Sequence, residues 1–449
     1  MRSIGRDLSE GSVVKGLLVF ALPMILTNLV QQLYSAVDLS IIGLYVGNVG
    51  TVGVATGSEF LDFMTPLSMA FCMGGQIYMS QLAGQKNDQQ IRETAGTLFT
   101  IMMGFSLLCI VFAALFHIQL LEVLNCPSEA MNQATDYMII TAIGMPFVCG
   151  YNALCALLRA KGESRAPLLF VIGAAIMNVV GDLFFTGYLH MEASGVAIAT
   201  VLAQATLFII ASLYVYRYFD VRYNRQFIKI HKQPCRVIVK LGVPQIIRSL
   251  SVHGSMLWVK SNVNTYGVVA SATYSVGNKI EKLLNVFVWG VDHAAGAMIG
   301  QSFGAKKIKR INRVIYSTLA CSLSLGIVIL MLFWSIPEIL LGAFTTNEEV
   351  IAMGVTFLRI VSIGCLTSSI ANSFKAIITG VGAANLSFVV GVLDGVSRIL
   401  VCIIFFSIFD QGLQSYFWGA ALCQLLPGIV AFIYFKSGIW KKKKLLSEA

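Results

Sequence analysis

Two aspartates stand in stretches apolar enough to lie in lipid. The run LVQQLYSAVDLSIIGLYVG at 29–47 carries Asp38 with no cation nearby in sequence, and Asp182 ends NVVGD. A carboxylate at the centre of a spanning helix costs about 2.5–3.5 kcal/mol on insertion scales, so such groups face a bundle interior or a watery cavity. Thr27, Gln31, Tyr34 and Asp38 follow at intervals of 4, 3 and 4 residues and fall on one narrow helical face. Asn178 and Asp182 are i, i+4 neighbours with Thr186 one turn beyond, and Thr200 and Gln204 repeat the spacing. Counted from the expected outer helix ends at about 1.5 Å per residue, Asp38, Asp182 and Thr200 all lie about 10 Å below one surface. Such an oxygen-rich cluster suits a hard cation such as Na⁺, or two neighbouring carboxyls sharing a proton. Structural packing carboxylates are the competing reading.

The elements that must position these groups follow from composition. Of the 449 residues, 57% are hydrophobic and 12% charged, with mean hydropathy +0.77. That is about half the charge of a soluble domain. Twelve apolar runs are each long enough to span a bilayer: roughly 14–44, 51–82, 95–117, 133–158, 166–188, 193–216, 237–265, 270–303, 314–336, 350–376, 385–409 and 413–436. The alternation of a barrel is missing. The expectation is an all-α polytopic membrane protein with twelve transmembrane helices. The N-terminus reads as a retained amphipathic start. The ten cysteines lack a CxxC pair and read as small core residues.

Of the 32 Lys and Arg, 26 fall in alternate connections and the termini, Lys375 and the KKKK run at 441–444 among them. The positive-inside rule then puts both termini in the cytoplasm of a multi-pass chain in the plasma (inner) membrane. The net charge of +10 reads as a topology signal and a contact with lipid headgroups, not as a nucleic-acid surface. No GxxxxGK[ST] loop exists for direct ATP use.

The halves repeat with a period near 220 residues: VVKGLLVFALPMIL resembles VIVKLGVPQII, aligning Pro23 with Pro244. SQLAGQKNDQQIRET resembles GQSFGAKKIKRINRV, aligning Gln81 with Gln301 and Gly84 with Gly304. Two parallel repeats of six spans are a transporter arrangement. The expected division is an N-lobe at 1–220, a basic cytoplasmic linker at 221–240, and a C-lobe at 241–449 with a basic tail. The second half is cation-rich: His253 and Lys260; Lys279, Glu281, Lys282 and Asp292; then Asp394 and Arg398, an i, i+4 pair expected to neutralise each other. Lys279 and Lys282 could snorkel.

Several segments, in this order, carry a resemblance to the multidrug and toxic compound extrusion (MATE) family: ALPMILTNLVQQLYSAVDLSIIG, GQKNDQQIRET, LLRAKGESRAPL, NVVGD, GVAIAT, KIE and IGQSFGAKK. The likeness covers essentially the whole chain. It implies two pseudo-symmetric six-helix bundles around a central cavity, and export of amphipathic, often cationic compounds by antiport with H⁺ or Na⁺. Carried over by position, Asp38 matches the family's first-span acid. Tyr34, Asn178, Asp182 and Thr200 match the polar partners of the prokaryotic branch's cation site, where Na⁺ at Asp38 and Asp182 is the one metal implied. Pro23 matches a proline whose bending has been proposed to couple protonation to release. The seventh span departs from members that carry an acid there, reading SLSVHGSMLWVK. Gln31, Gln204, His253, Lys260, Glu281, Asp394 and Arg398 are the expected substrate-cavity residues, and His253 with Lys260 also suits an anionic or zwitterionic substrate. The resulting expectation is a monomeric efflux transporter with a small-molecule substrate, no cofactor beyond the coupling ion and no nucleic-acid partner. The alternatives are a lipid-linked oligosaccharide or polyprenyl-lipid flippase of the same broader fold, and a membrane enzyme using His253 with Asp292.

Overall fold

The computed structural model describes residues 6–219 and 225–448. Among them every regular element is helical. In chain order the α-helices are α1 Val13–Tyr45, α2 Gly47–Gly84, α3 Asp88–Val123, α4 Met131–Ile143, α5 Met145–Ala160, α6 Arg165–Asp182, α7 Glu192–Tyr218, α8 Arg225–Ile228, α9 Lys232–Asn264, α10 Val268–Gly304, α11 Ile308–Ser335, α12 Pro337–Gly342, α13 Glu348–Gly380, α14 Ala384–Ser407, α15 Gln414–Leu422 and α16 Leu425–Ser437. Nine stretches among the described residues are long and apolar enough to cross a membrane, and α4 with α5 forms a tenth, bent by 45°. The bend falls at Gly144-Met145-Pro146, where the proline starts α5 without an N–H to spend.

The sequence expectation of twelve spans is therefore not reached by apolarity alone. The second and seventh expected spans are helical, but α2 is rich in glycine and carries Glu59 and Asp62, while α9 carries Lys240, Arg248, His253 and Lys260. Such groups are tolerable only where other helices or water receive them.

The chain forms two compact units. One comprises Met1–Arg6, Leu26–Met79 and Asn87–Val239; the other comprises Asp7–Ile25, Ser80–Lys86 and Lys240–Ala449. The boundary thus cuts α1 just after Pro23, whose missing N–H leaves the Val19 carbonyl without its helical partner. In the first unit α7 packs on α4, α5 and α6, and α3 on α5. In the second unit α13 is the hub, packing against α10, α11, α15 and α16. Phe333, Phe357 and Phe417 are fully buried in the core around it. Many large apolar side chains, such as Leu108, Leu169 and Ile433, remain exposed on the helices. In water that would be a defect; in lipid it is the expected outer surface.

Candidate functional site

In the first unit, α6 and α7 approach closely because Gly181 faces Ala199: a Cβ on Gly181 would lie 2.9 Å from the Ala199 Cβ. This brings the polar face of α6 to Thr200. Asn178 is 1% exposed, Asp182 fully buried and Thr200 7% exposed. Directly after Asp182 the helix widens into a π-turn, Leu183–Tyr188. Such turns recur at functional positions. Here Gly195 of α7 makes room for it, sitting against Thr186 Oγ1.

Asp38, from α1, meets this face. The carboxyls of Asp38 and Asp182 are hydrogen-bonding neighbours, a contact that takes a proton on one of them. As two carboxylates both are acceptors only. Asp38 Oδ1, both Asp182 oxygens, the Asn178 amide and Thr200 Oγ1 then have no hydrogen-bond partner among the described residues. Buried polar atoms are almost always partnered, so these four side chains of one unit form an oxygen-rich site with bonding capacity left for a proton or a small cation. The donor set is two carboxyls, an amide oxygen and a hydroxyl, which is hard-oxygen chemistry suited to Na⁺. Among the described residues no three His, Cys, Asp or Glu side chains converge as a transition-metal centre requires.

A narrow crevice opens on the site, lined by Gln31, Asn178, Thr200 and Gln204 with Val171, Ala174, Ala203 and Leu207. Its interior has room for a water molecule or an ion and not for a drug-sized ligand. The expected residues Gln31 and Gln204 thus share a cavity with Asn178 and Thr200. Tyr34 lies outside the described side chains. Sequence reading missed Tyr137 of α4, which is buried beside Thr200 and lies in the field of Asp38, Asp62 and Asp182. A signal existed: Gln133, Tyr137 and Thr141 form a four-residue stripe like the ones that were read.

The second unit holds a different network. Asp394, 1% exposed, receives Arg248 Nε at 3.0 Å and Lys375 Nζ at 3.2 Å. The expected Asp394–Arg398 pairing is corrected: the carboxylate is taken by two cations from other helices. Gly391 and Gly395 of α14 explain how. A Cβ on Gly391 would sit 2.6 Å from the Arg248 Cβ, and one on Gly395 2.2 Å from Ser251 Oγ. Only bare backbone lets α9 in so close, with Asp394 between the two glycines. Lys375 is corrected as well. Its place in the basic pattern suggests a connection residue, but it is buried inside α13 and also bonds the Gln424 side chain. Arg248, likewise missed, was hidden in a run of mixed polarity.

Arg398 Nη2 approaches Cys423 Sγ at 3.5 Å, with Glu281 in its field, and Glu281 Oε1 accepts from Asn285 Nδ2 at 3.0 Å. Asp292 Oδ1 accepts from Ser322 Oγ at 3.0 Å, with Asn372 beside the same carboxyl. His253 Nδ1 is spent on the Ser249 carbonyl one turn back, at 2.8 Å. It is exposed, as are Lys260, Lys279 and Lys282. Asp292 bonds Ser322 and His253 bonds its own helix, so among the described residues no hydrogen bond joins the acid–base dyad of the enzyme alternative.

The family model MatE matches twice, over residues 23–184 and 244–404. The chain is 26% identical over 452 residues to a probable multidrug resistance protein, YpnP, of Bacillus subtilis strain 168, covering 98% of this chain and 99% of that one. It is 21% identical to the multidrug export protein MepA of Staphylococcus haemolyticus, covering 94% and 93%. Two solved structures share the fold. One is an outward-facing multidrug resistance MATE family transporter of the MOP superfamily, with TM-score 0.90, 17% identity and coverage of 99% and 100%. The other is a MOP superfamily transporter from Pyrococcus furiosus described by the reverse polarity of its binding pocket, with TM-score 0.89, 18% identity and coverage of 99% and 100%.

Proposed function

The chain belongs to the MatE family of membrane transporters, and from that premise we propose that it exports amphipathic organic compounds in exchange for H⁺ or Na⁺. It is a multidrug efflux transporter by family, not an enzyme. The flippase alternative gains no support from relatives that are called multidrug resistance and export proteins.

The carboxyl contact between Asp38 and Asp182 carries the coupling reading. Two carboxyls touching inside apolar surroundings need one positive charge between them. A proton on one, or a Na⁺ held by both with Asn178 and Thr200, supplies it. Loading from the outside of the cell fills the site; its occupancy then changes which conformation is favoured and weakens a bound substrate's hold. Release to the cytoplasm resets the cycle. One elementary charge crossing 100 mV is worth about 2.3 kcal/mol, enough for roughly a fifty-fold gradient of a neutral substrate. The chain acts as a monomer in the plasma membrane with both termini cytoplasmic, as its basic connections favour. Gln31 and Gln204 offer hydrogen bonds at the mouth of the site. Pro23, at the place where α1 passes from one compact unit to the other, is a natural bending point.

Efflux of a fluorescent cationic dye from proteoliposomes, driven by a pH gradient and separately by a Na⁺ gradient, tests this. We expect one gradient to drive export by the native chain and neither to drive it in Asp38→Asn or Asp182→Asn. Driven export surviving in both variants would sink the coupling assignment.

A further inference from the structure

The repeat-related loops after α2 and α10 meet within the second unit. Gly84 lies on the Gln301 carbonyl, where a Cβ would be 2.0 Å from the oxygen. Gly304 lies on the Gln81 carbonyl, where it would be 1.9 Å away. The two helix ends therefore cross backbone on backbone, in mirrored fashion. Lys86 and Lys306, which follow, share a left-handed backbone at φ 59° and 57°. Glycine contacts bring chains close but bury little apolar side chain, so the crossing needs other groups to hold it.

Each crossing glutamine is capped by one end of the polypeptide. Gln301 Oε1 accepts the Leu8 N–H at 2.7 Å, and Arg310 grips that segment through the carbonyls of Leu8, Glu10 and Gly11. Gln81, fully buried, donates Nε2 to the Gly380 carbonyl at 3.0 Å and accepts the Leu446 N–H on Oε1 at 3.2 Å. The tail beyond α16 is itself docked. Trp440 is fully buried, Leu445 and Leu446 are nearly so, and Leu446 covers the bare face of Gly382. Lys443 donates to the Gly382 carbonyl, and Gln85 Nε2 donates to Ser447 Oγ at 2.9 Å. The tail thus touches both the end of α2 and the turn between α13 and α14.

We propose that the C-terminal tail, Trp440–Ser447, is a latch that holds the α2–α10 crossing closed, opposite the N-terminal strap Leu8–Gly11. The proposal rests on the transporter reading, in which the crossing is the cytoplasmic closure of an alternating-access cycle. Parting the crossing while the tail stays seated strands Gln81, a buried amide whose two halves are bonded to Gly380 and Leu446. Releasing the tail first lets water reach that amide as the helices part. The latch therefore sets how readily the cytoplasmic side opens.

Hydrogen exchange of the full chain in lipid nanodiscs tests this without any transport assay. Leu446→Pro deletes the single N–H that caps Gln81; a chain ending at Ser437 lacks the latch altogether. We expect the Ser80–Lys86 backbone to exchange about tenfold faster in both, the scale of one lost buried hydrogen bond. A peptide of residues 438–448 added to the shortened chain should slow it again. Unchanged exchange at Ser80–Lys86 in both variants overturns the latch. So does a general loss of protection that includes α13, which would make the tail a folding element. Failure of the native chain to export in proteoliposomes would instead sink the transporter reading and leave the exchange result standing.

Discussion

Asp38 of α1 and Asp182 of α6 place their carboxyl groups in contact, in a unit where the adjacent amide and hydroxyl of Asn178 and Thr200 have no other partner among the described residues. Removing one of two buried like charges relieves repulsion. Asp182→Asn should therefore abolish gradient-driven export yet melt at a higher temperature than the native chain at alkaline pH without Na⁺. A lower melting temperature there would mean that the pair is held together by something other than a shared cation.

Ligand linkage separates the two coupling ions. A site that binds Na⁺ stabilises the folded protein by about 2.7 kcal/mol at a hundred times its dissociation constant. If Na⁺ is the ion, titrating it at fixed pH raises the melting temperature of the native chain, and Thr200→Ala or Asn178→Ala blunts the rise. If a proton is the ion, the native curve is flat in Na⁺ and moves only with pH.

Lys375 and Asp394 form a pair inside the second unit, with Arg248 as the third member. Breaking a buried pair on one side typically costs about 3–5 kcal/mol. Lys375→Met should be destabilising by that order, and Lys375→Met with Asp394→Asn together much less so. Little loss in Lys375→Met alone, measured by thermal unfolding in detergent, would show that Arg248 by itself satisfies the carboxylate.

The tail should respond to pH through Lys443. Partial burial and the nearby Lys240 pull this lysine down from its ordinary 10.5 to about 8. Docking therefore opposes its charge. Below about pH 8 the docked lysine is charged and the penalty is complete; as pH rises from 8 towards 10.5 the docked form sheds its proton before the free form does, and docking tightens. Tryptic cleavage after Lys444, scaled to a free tail peptide at the same pH, should slow across that window. Lys443→Met should flatten the response.

Gly304→Ala tests the crossing from the other side. Its Cβ would stand 1.9 Å from the Gln81 carbonyl oxygen, and a backbone atom cannot swing away as a side-chain tip can. The variant should expose Ser80–Lys86 to exchange even with the tail intact. Gly342→Ala, where a Cβ meets nothing within 4 Å, is the matching control.

Much of this molecule could be read from its residues, and the misses have physical causes. The stripes at Gln31, Asn178, Asp182, Thr200 and Gln204 were legible because helical periodicity converts spacing directly into a shared face. Tyr137 carried the same kind of signal in a span where no carboxylate drew attention to it. The partners of Asp394 were not legible, since sequence proximity favoured Arg398 while glycines at 391 and 395 decided the matter by letting Arg248 in. Lys375 looked like a loop residue because charge near a helix end usually is one. The docked tail was invisible for a related reason: KKKK reads as a solvated run, yet Lys443 points at the Gly382 carbonyl and Trp440 is enclosed.

The clamp on Asp394 has a consequence for synthesis. Arg248 emerges from the ribosome 146 residues before its counter-charge, on a helix that also carries Lys240, His253 and Lys260. Such a segment has no favourable resting place in lipid by itself. During manufacture it must wait beside the insertion machinery, or under an already inserted neighbour, until α14 delivers the aspartate. Chains stopped before Ala384 should for that reason be cleared by quality-control proteases, whereas chains stopped after Ser407 should persist longer.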